Sequence, residues 1–546
     1  MAAHNSRPNQ NNDVGEDRAM RRCTGGRALV DGLCRHGVDT VFGIPGTHNL
    51  PVFSALSEMG VRTVLTRHEQ GAGYAADGYA RVSGRPGVCV TTSGPAILNC
   101  SAAAAQAWSD SVPVLFVAPG PPTDHRGLGN GQLHEVRDQR AAMASLLAHA
   151  HRVNSVAEIP EAVAAAFAAM LSGRPRPAYL EIPHDLLAAV AAVAPVDPLP
   201  RAAGMPAAEA LDAAMDVLMG ARRPMIIAGG GARGAAAPLC ALAESLDAPV
   251  VTSANGKGVF DEAHSLAVGA GLHQPSVRAL VADSDVVLAV GTELAPSDLW
   301  YGPLSPAGTL VRIDVDPGAL TTNADPQVRL LGDAAITIDA LLTRLADRPR
   351  ADRAGAERSA RSRTELRADA AREGALYREI LDALAPLMQR STVVAGDSTM
   401  ACYYGALSGL TVRRPAGFLY PTGGGTLGYG LPAAIGAKLA DPEASVMALL
   451  GDGGVMFTVA ELAAAAQLGL ALPVLVVDNG GYGEIRNEMR ERGETPVAVD
   501  LASIDFPALA RSMGCHGEHV SGPAALTHAV TAAFAADRPT VLHIHA

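Results

Sequence analysis

The sequence contains very little lysine and no long apolar run. Lys257 and Lys438 are the only lysines, so arginine carries almost all of the positive charge. Pyridoxal phosphate chemistry needs a lysine that forms a Schiff base, and neither lysine lies in a motif suited to that task. No run reaches the roughly 18 apolar residues that a membrane-spanning helix needs. Residues 1–19 are polar and lack the apolar centre of a signal peptide, so we expect a disordered tail on a soluble, cytoplasmic protein without membrane partners.

Cysteines are also scarce and scattered. There are seven, an odd number, and no two of them form a CxxC pair. This pattern indicates a reducing compartment and no structural zinc. The net charge is −12, from 43 basic and 55 acidic residues, which argues against nucleic acid as the main partner.

Length and periodicity predict several α/β domains. The chain has 546 residues, 48% of them hydrophobic, and domains usually have roughly 100–200 residues. Short β-rich runs alternate with helical stretches, which is typical of parallel βαβ units. The predicted strands are Thr40–Phe42, Thr63–Leu65, Val88–Thr91, Val114–Val117, Pro224–Ala228, Pro249–Thr252, Val286–Val290, Leu310–Asp314, Thr392–Val394, Ser445–Leu450, Pro473–Val477 and Thr540–Ile544.

Two segments divide this pattern into three doubly wound parallel-sheet domains. Residues 191–206 are rich in Ala and Pro, which indicates a linker. Residues 348–373 are rich in Arg, Ala and Glu, which indicates a solvated helix between domains. We therefore expect domains at residues 20–190, 205–347 and 375–546.

The most informative segment joins two predicted strands. The first strand is followed by Gly-Asp-Gly-Gly and a helix at about residues 458–468, and the second by Asp-Asn-Gly-Gly. Parallel neighbours present their carboxyl ends at one edge of a sheet, so Asp452 and Asn479 should share a crevice. Carboxylate, amide and carbonyl oxygens suit Mg²⁺ that also holds phosphate oxygens, and the amides of Gly453 and Gly454 could approach a diphosphate closely. The alternative is a pair of ordinary turns, because Asp-Gly and Asn-Gly are common turn pairs.

This spacing of a GDG motif and an Asn-containing turn resembles the thiamine-diphosphate-dependent enzymes, the superfamily of acetolactate synthase, pyruvate decarboxylase and benzoylformate decarboxylase. The resemblance extends from about residue 24 to the C-terminus and implies pyrimidine-binding, central Rossmann-like and diphosphate-binding domains. It implies that the side chains of Asp452 and Asn479 and the carbonyl of Gly481 hold Mg²⁺. Because the cofactor of this superfamily bridges two subunits, it also implies a homodimer or homotetramer with shared active sites.

A second motif, residues 66–81, begins a glycine- and alanine-rich helix directly after a strand. Glu69 lies at this strand-to-helix edge, where an arbitrary carboxylate would cap the helix. The resemblance instead implies that Glu69 hydrogen-bonds N1′ of the cofactor's pyrimidine and favours the tautomer that removes the C2 proton. Glu69 is therefore our first candidate for an essential catalytic residue.

Two further segments resemble cofactor-binding parts of the superfamily. In the glycine-rich segment 421–437, Leu427 matches the apolar residue that bends the cofactor, and Gly425 matches the residue whose carbonyl accepts from the 4′-amine. Ser398 and Thr399, which follow a predicted strand, match residues that bind the diphosphate. The alternatives are a glycine-rich turn before a buried helix and, for Ser398 and Thr399, a helix cap.

Residues that select the reaction should lie near Glu69 and over the cofactor. Thr47 lies in a turn that resembles the superfamily's GxPG and matches a position for acid/base or substrate-binding groups. The neighbouring His48 is either a substrate-binding group or a turn histidine. His125 matches the first histidine of the HHxLGNG loop of pyruvate decarboxylases, but Arg126 replaces the second. His134 falls where acetolactate synthases have a glutamine near the substrate, although a lone histidine is usually structural.

The substrate side chain is suggested by acids after the metal turn. Glu484 and Glu488 share one face of a predicted helix and could attract a cationic substrate tail, or they could simply face solvent beside neighbouring arginines. His273 also matches an active-site-facing position of the superfamily. Acetolactate synthases carry GQHQMW where residues 396–401 read GDSTMA, which argues against that activity. The combined motifs look most like 5-guanidino-2-oxopentanoate (2-ketoarginine) decarboxylases.

The expected reaction is therefore non-oxidative decarboxylation of a small 2-oxo acid to an aldehyde. The alternatives are an acetolactate synthase-like carboligase, which joins two 2-oxo acids, and a non-catalytic homologue that binds thiamine diphosphate. Residues 229–234 also spell GxGxxG after a strand, which alone suggests a dinucleotide-binding dehydrogenase, but that function leaves Glu69, Asp452 and Asn479 unexplained. The superfamily's central domain binds FAD in some members and nothing in others, so FAD is possible here but unsupported.

Overall fold

The structure is a computed structural model that describes residues 20–125, 129–200, 204–346 and 353–546. The predicted tail, residues 1–19, and Arg126 lie outside the described residues. The described chain forms two compact units, one of residues 20–73, 86–104, 113–125 and 129–200, and one of residues 74–85, 105–112, 204–346 and 353–546. Among the described helices, none combines the length and the apolar character needed to cross a bilayer.

The first unit contains, in its described residues, a six-stranded parallel sheet covered by helices. In spatial order its strands are Arg62–Leu65, Thr40–Gly43, Gly87–Val90, Val114–Gly120, Ala178–Pro183 and His149–Arg152. The central strands are buried along their whole length, as expected of parallel strands with both faces covered. Its helices and 3₁₀ turns are Gly25–Arg35, Thr47–Asn49, Leu50–Glu58, Pro95–Asn99, Gln139–Ala144, Val156–Glu158, Ile159–Leu171 and His184–Ala188, while Glu69–Ser83 and Ser101–Ser109 begin in this unit and end in the other.

The second unit contains two more six-stranded parallel sheets in its described part. The strands of the central sheet are, in spatial order, Ala267–Ala270, Val250–Thr252, Pro224–Ala228, Val286–Val290, Thr309–Asp314 and Val328–Leu331. Those of the C-terminal sheet are Phe418–Leu419, Thr392–Gly396, Ser445–Gly451, Pro473–Asp478, Thr540–His545 and His516–His519. The three sheets agree with the predicted α/β, doubly wound architecture, and each predicted strand is present within three residues of its expected ends.

Helices cover both sheets of the second unit. Those around the central sheet are Ala208–Gly220, Gly230–Ala235, Ala236–Leu246, Pro275–Asp283, Pro296–Leu299, Ala334–Leu345 and Gly355–Glu373. Those around the C-terminal sheet are Ala375–Tyr377, Arg378–Leu384, Ala385–Leu387, Ala401–Ala406, Leu407–Gly409, Gly430–Ala440, Asp452–Val455, Glu461–Gln467, Gly483–Glu491, Phe506–Ser512 and Pro523–Phe534. The helix expected at residues 458–468 is therefore the shorter Glu461–Gln467, preceded by a separate helical turn that starts at Asp452.

Strand order creates a crevice in each sheet. When the strands of each sheet are numbered along the chain, the first and C-terminal sheets both have the order 2-1-3-4-6-5, and the central sheet has the order 3-2-1-4-5-6. The connections leave the first and third strands of a 2-1-3-4-6-5 sheet in opposite directions. Ligands of open α/β sheets bind at such a switch point, beyond the carboxyl ends of the strands.

Two sequence-based expectations about connections were met only in part. Residues 191–193 of the expected linker belong to a strand, Val190–Val193, which pairs antiparallel with Arg21–Thr24, whereas residues 194–200 are irregular. The expected solvated helix is Gly355–Glu373, and one of its faces is buried. Buried Arg358 donates to the carbonyl of Pro224 at 2.8 Å, and satisfied backbone carbonyls allow an arginine to be buried in this way.

Candidate active site

The carboxyl edge of the C-terminal sheet brings Asp452 and Asn479 together. Asp452 follows the third strand of this sheet and Asn479 follows the fourth, and the two strands pair in parallel. The backbone N–H groups of Gly453 and Asn479 lie near the Asp452 carboxylate and counteract the rise that burial causes in its pKa. Both side chains line a cavity of about 300 Å³. These two residues meet because the strands that they follow are neighbours in the sheet.

The donor set at this edge fits a hard cation such as Mg²⁺. Among the described residues, buried Asn479 Oδ1 has no hydrogen-bond partner, although its Nδ2 lies 3.4 Å from the Tyr377 hydroxyl and 3.6 Å from the Met400 sulfur. Burial and the nearby Asp478 carboxylate raise the pKa of Asp452. A bound cation would satisfy the unpaired oxygen and offset the repulsion between the two carboxylates.

Asp478 was missed by the sequence argument, and the structure gives it a supporting position. Its carboxylate accepts from the Gly480 N–H at 2.9 Å and pairs with His543 Nε2 at 3.0 Å. These contacts hold the pKa of Asp478 below its usual range, in spite of the opposing effect of burial. The position of Asp478 directly before Asn479 could have indicated a role at this site. Its partner His543 lies 65 residues away, so their contact could not be read from the sequence.

The turn after Asn479 requires glycine. Gly481 has φ +132°, and a Cβ there would lie 2.1 Å from the Val499 carbonyl oxygen. The Gly481 carbonyl accepts from the Gly483 N–H at 3.0 Å. The chain can therefore present a main-chain carbonyl beside Asn479 only with glycine at this position.

The candidate diphosphate residues surround a buried carboxylate, Asp397. Asp397 accepts from the backbone N–H groups of Ser398 and Gly428, both at 2.9 Å, and of Tyr429 at 3.3 Å. Burial raises the pKa of Asp397 to about 6. The helix that follows contains the π-helical turn Ala401–Ala406, and the Thr399 carbonyl accepts from the N–H groups of Cys402 at 2.8 Å and Tyr403 at 3.1 Å, so Thr399 lies at the start of this helix.

Side chains more than 300 residues earlier in the chain form hydrogen bonds with the glycine-rich segment. The Gly423 N–H donates to the Asp110 carboxylate at 2.8 Å, and the Thr426 hydroxyl donates to Gln106 at 3.1 Å. Gly425, with φ +57°, is exposed. Half-buried Leu427 lies against Gly454, where an added Cβ would be 3.6 Å from the leucine Cδ2. The segment that the resemblance places under the cofactor thus adjoins the Gly453–Gly454 turn.

In the first unit, Glu69 is the first residue of the helix Glu69–Ser83 and is only half-buried. Its carboxylate accepts a hydrogen bond from the Asn99 side chain at 3.0 Å. The Cys100 thiol donates to the Glu69 carbonyl at 3.3 Å. Asn99 therefore fixes the orientation of the carboxylate.

Histidines gather at the switch point of the first sheet, and we call His48, His134 and His184 the histidine group. His48 Nδ1 lies 2.6 Å from the Ser93 hydroxyl, which lies 3.4 Å from His134 Nδ1. The His184 ring stacks on His48 with centroids 4.6 Å apart. Burial and the other two imidazoles lower the pKa of His48. Ser93 and His184 were missed, although each follows a strand of this sheet.

The other predicted residues of the first unit lie around this group. His125 pairs with Glu135 at 3.2 Å, and Glu135 also accepts from the amides of Gly129 and Gly131, both at 3.0 Å. His125, His134 and Glu135 line one cavity with His48. Thr47 is exposed at the start of the turn Thr47–Asn49 and does not line that cavity.

The two remaining substrate candidates lie in an aromatic cluster of the second unit. His273 is only 1% exposed, and its ring stacks on Trp300 at a centroid distance of 3.8 Å. The Tyr404 hydroxyl donates to the Glu484 carboxylate at 2.5 Å. Because His273 is fully buried, it supports the Trp300 ring and cannot itself contact a substrate. Glu484 is half-buried, so its carboxylate remains accessible. Trp300 and Tyr404 were not singled out from the sequence.

The GxGxxG segment has a packing explanation. Cβ atoms at Gly229 and Gly231 would lie 2.2 Å and 2.9 Å from backbone atoms of Gly291. Arg233 is half-buried, desolvation lowers its pKa to about 10, and it donates to the Asn255 carbonyl at 2.9 Å. The glycines thus let two strand-end turns touch, and this geometry neither requires nor excludes FAD.

Comparisons with known proteins agree with this layout. Family models for the N-terminal TPP-binding, central and C-terminal TPP-binding domains of thiamine pyrophosphate enzymes match residues 23–143, 211–341 and 395–544. The probable 2-ketoarginine decarboxylase AruI of Pseudomonas aeruginosa is 45% identical over 91% of this chain and 89% of its own length. The acetolactate synthase large subunit of Parasynechococcus marenigrum is 34% identical over 96% of this chain and 88% of its own length. Acetolactate synthase isozyme 2 large subunit of Escherichia coli is 31% identical over 95% of both chains.

Proposed function

Because the chain belongs to the thiamine pyrophosphate enzymes, we propose that it is a Mg²⁺-dependent decarboxylase of 5-guanidino-2-oxopentanoate. The C1–C2 bond of the 2-oxo acid breaks, CO₂ leaves, and a proton is added at the former carbonyl carbon to give 4-guanidinobutanal. Bound thiamine diphosphate supplies the nucleophilic carbon and accepts the electron pair left by CO₂. The observation that carries the proposal is the unpaired, buried Asn479 Oδ1 beside Asp452, at the carboxyl ends of the fourth and third strands of the C-terminal sheet.

The residues divide the work between binding and proton transfer. Asp452, Asn479 and the Gly481 carbonyl would hold Mg²⁺, and Ser398, Thr399, Gly453 and Gly454 would hold the diphosphate. Gly425 and Leu427 would position the pyrimidine and the bend of the cofactor. Glu69, oriented by Asn99, would exchange a proton with the pyrimidine N1′.

The histidine group would handle protons at the substrate. Its lowered pKa keeps the His48 imidazole neutral near pH 7, so it acts as a proton acceptor, and the contact between its Nδ1 and the Ser93 hydroxyl orients the ring. His134 lies on the other side of Ser93 and His125 is oriented by Glu135. Thr47 would bind substrate from the turn before them.

Each complete site is proposed to use two copies of the chain, with Glu69 from one and the metal-binding edge from the other. This proposal rests on the family likeness and predicts a homodimer or homotetramer.

The first test measures CO₂ and product masses from purified full-length chain with a panel of 2-oxo acids that includes pyruvate, benzoylformate and 5-guanidino-2-oxopentanoate. We expect the guanidino aldehyde only when both thiamine diphosphate and Mg²⁺ are present, with loss on chelation and recovery when Mg²⁺ is restored. Acetolactate from pyruvate would favour carboligation, which the acetolactate synthase relatives make the second candidate. Turnover of no acid would contradict both reactions and favour a non-catalytic homologue.

A further inference from the structure

Aromatic side chains from two distant parts of the second unit meet beside the candidate metal edge. Trp300 contacts the edges of Tyr403 and Tyr404, with centroid distances of 6.4 Å and 5.9 Å, while His273 covers one of its faces. Tyr403 and Tyr404 pack edge to face at 4.7 Å. We call Trp300, Tyr403 and Tyr404 the aromatic group. Trp300 lies about 100 residues before the two adjacent tyrosines in the sequence, so only the fold creates this surface.

One carboxylate is attached to this surface. Glu484, at the second position of the helix Gly483–Glu491, accepts the Tyr404 hydroxyl at 2.5 Å. Its carboxyl is half-buried, and burial together with Glu488, Glu491 and Glu373 raises its pKa. The surroundings of Glu484 thus favour the approach of a positive charge.

The arginine nearest to Glu484 on the same helix is engaged elsewhere. Arg486 pairs with Asp500 at 2.9 Å and donates to the Gly480 carbonyl at 2.8 Å. It stabilises the turn after Asn479 rather than neutralising Glu484. The sequence-based alternative of a solvated helix holds for exposed Glu488 and Arg490, but Arg486 does not pair with Glu484.

The surface adjoins the place where a substrate would react. Tyr403 and Tyr404 lie in the π-helical turn Ala401–Ala406, which starts directly after Met400. The Met400 sulfur lies 3.6 Å from Asn479 Nδ2, and an added Cβ on Gly483 would be 2.9 Å from the same sulfur. π-Helical turns are rare and often mark functional sites. A substrate reacting above the metal edge could therefore extend its tail towards Glu484.

We propose that the aromatic group and Glu484 form the subsite that binds the guanidinium of the substrate. A planar guanidinium can donate two hydrogen bonds to a carboxylate and stack on aromatic faces, whereas an ammonium is a compact, strongly hydrated point charge. The Tyr404 hydroxyl orients the Glu484 carboxylate, and buried His273 holds the Trp300 ring. This subsite deepens the proposed function and rests on it for the identity of the reacting group.

The test compares two substrates, 5-guanidino-2-oxopentanoate and the shorter 2-oxohexanoate, whose side chain is uncharged. Glu484→Gln and Trp300→Leu should lower kcat/KM for the guanidino acid about 10- to 100-fold, mainly through KM, because a charge-assisted contact and a stacking surface are lost. The same variants should keep or improve turnover of 2-oxohexanoate. Tyr404→Phe should have a smaller effect in the same direction. Glu494→Gln, which removes an exposed charge just beyond the helix, is the matched control and should change neither substrate more than about threefold.

A binding measurement separates failure of the subsite from failure of the proposed reaction. Trp108 and Trp300 are the only tryptophans, so in Trp108→Phe holoenzyme the fluorescence reports on Trp300. Adding 5-guanidino-2-oxopentanoate should quench it, and the additional change Glu484→Gln should remove that response. If the wild type turns over no 2-oxo acid but the Glu484-dependent quenching is seen, the reaction is wrong and the subsite stands. Equal losses on both substrates, unchanged discrimination, or quenching independent of Glu484 would overturn the subsite.

Discussion

At the scale of single residues, Glu69 shows how a short local contact prepares a carboxylate for chemistry. The side chain projects from the first residue of a helix, and Asn99 donates to it from the end of another helix in the same unit. A helix-capping function would use the carboxylate on its own backbone, whereas the observed partner is a distant side chain. The contact leaves the second carboxylate oxygen to act on a ligand.

Glu69→Gln should therefore keep the shape of the side chain and its contact with Asn99 but lose the carboxyl group that exchanges a proton. We expect kcat to fall by about 10²- to 10⁴-fold, the usual contribution of a positioned acid or base, while thiamine diphosphate still binds. Calorimetric titration of the cofactor and steady-state CO₂ release measure the two effects. Glu58→Gln, an exposed acid paired with Arg27, serves as the control. Full activity of the Glu69 variant would contradict the proton-transfer function.

His48 predicts a pH dependence of stability. An unfolded histidine titrates near 6.5, and burial beside His184 and His134 lowers the pKa of His48 in the folded chain. Below about pH 6.5 the unfolded state takes up a proton that the folded state resists, so the free energy of unfolding falls as pH falls. In urea titrations at pH 7 and pH 5, His48→Gln should lose less stability on acidification than the wild type. The exposed His528→Gln variant should behave as the wild type, and an identical pH response of all three proteins would refute this explanation.

At the scale of elements, the strands were predictable and several of their partners were not. Parallel strands buried on both faces are near-continuous apolar runs, so their positions follow from the sequence, and Asp452 and Asn479 meet because they end neighbouring strands. Ser93 and Trp300 were missed because their contacts with His48, His134, Tyr403 and Tyr404 join positions more than 40 residues apart. The helix Gly355–Glu373 was misjudged because its arginine content suggested solvent, whereas Arg358 finds carbonyl partners inside the fold.

The turn after the fourth strand of the C-terminal sheet gives an element-scale prediction. Gly481→Ala should weaken Mg²⁺-dependent cofactor binding and destabilise the chain by about 2–3 kcal/mol, because it adds a collision with the Val499 carbonyl to an unfavourable φ. Gly493→Ala is the matched control, since Gly493 has φ +74° but nothing within 4 Å of an added Cβ. It should cost only about 1 kcal/mol and leave cofactor affinity unchanged. Equal cofactor affinity of the two variants would show that the turn does not shape the metal site.

At the scale of the whole molecule, a buried ionic network joins distant segments of the second unit. Arg81 pairs with Asp77 at 2.6 Å and Asp110 at 2.8 Å, and it donates to Asn255 at 2.9 Å. Asp110 in turn accepts the Gly423 N–H of the glycine-rich segment. The network therefore couples the position of the glycine-rich segment, which is a candidate cofactor-binding segment, to the folding of the surrounding core.

Arg81→Gln should destabilise the protein by about 3–5 kcal/mol, because it leaves two carboxylates buried without their cation. Urea unfolding followed by circular dichroism measures the change. Arg538→Gln removes an arginine from an exposed pair with Asp537 and should cost far less stability, because solvent screens such a pair. Similar losses for the two variants would mean that the buried network does not stabilise the fold.

The proposed sharing of active sites between copies is tested by mixing inactive chains. Glu69→Gln and Asp452→Asn chains should each be inactive alone. When they are co-expressed, random pairing gives half mixed dimers with one intact site of two, so about a quarter of wild-type activity should return. Co-expressed Glu69→Gln and Glu69→Gln/Asp452→Asn chains provide the control. No recovery, with mixed dimers demonstrated by differential tags, would contradict shared sites.

The strand order 2-1-3-4-6-5, present in both the first and the C-terminal sheet, has an evolutionary consequence. Two sheets of one chain with the same strand order are what gene duplication and fusion would produce. The residues after matching strands are then diverged counterparts, so His48 corresponds to the Ser398–Thr399 turn and Ser93 to the Asp452 turn. In this interpretation, imidazole side chains arose after the strands of the first sheet and oxygen ligands after those of the C-terminal sheet. An ancestor with a single such sheet would have formed its ligand site from two identical copies of the chain.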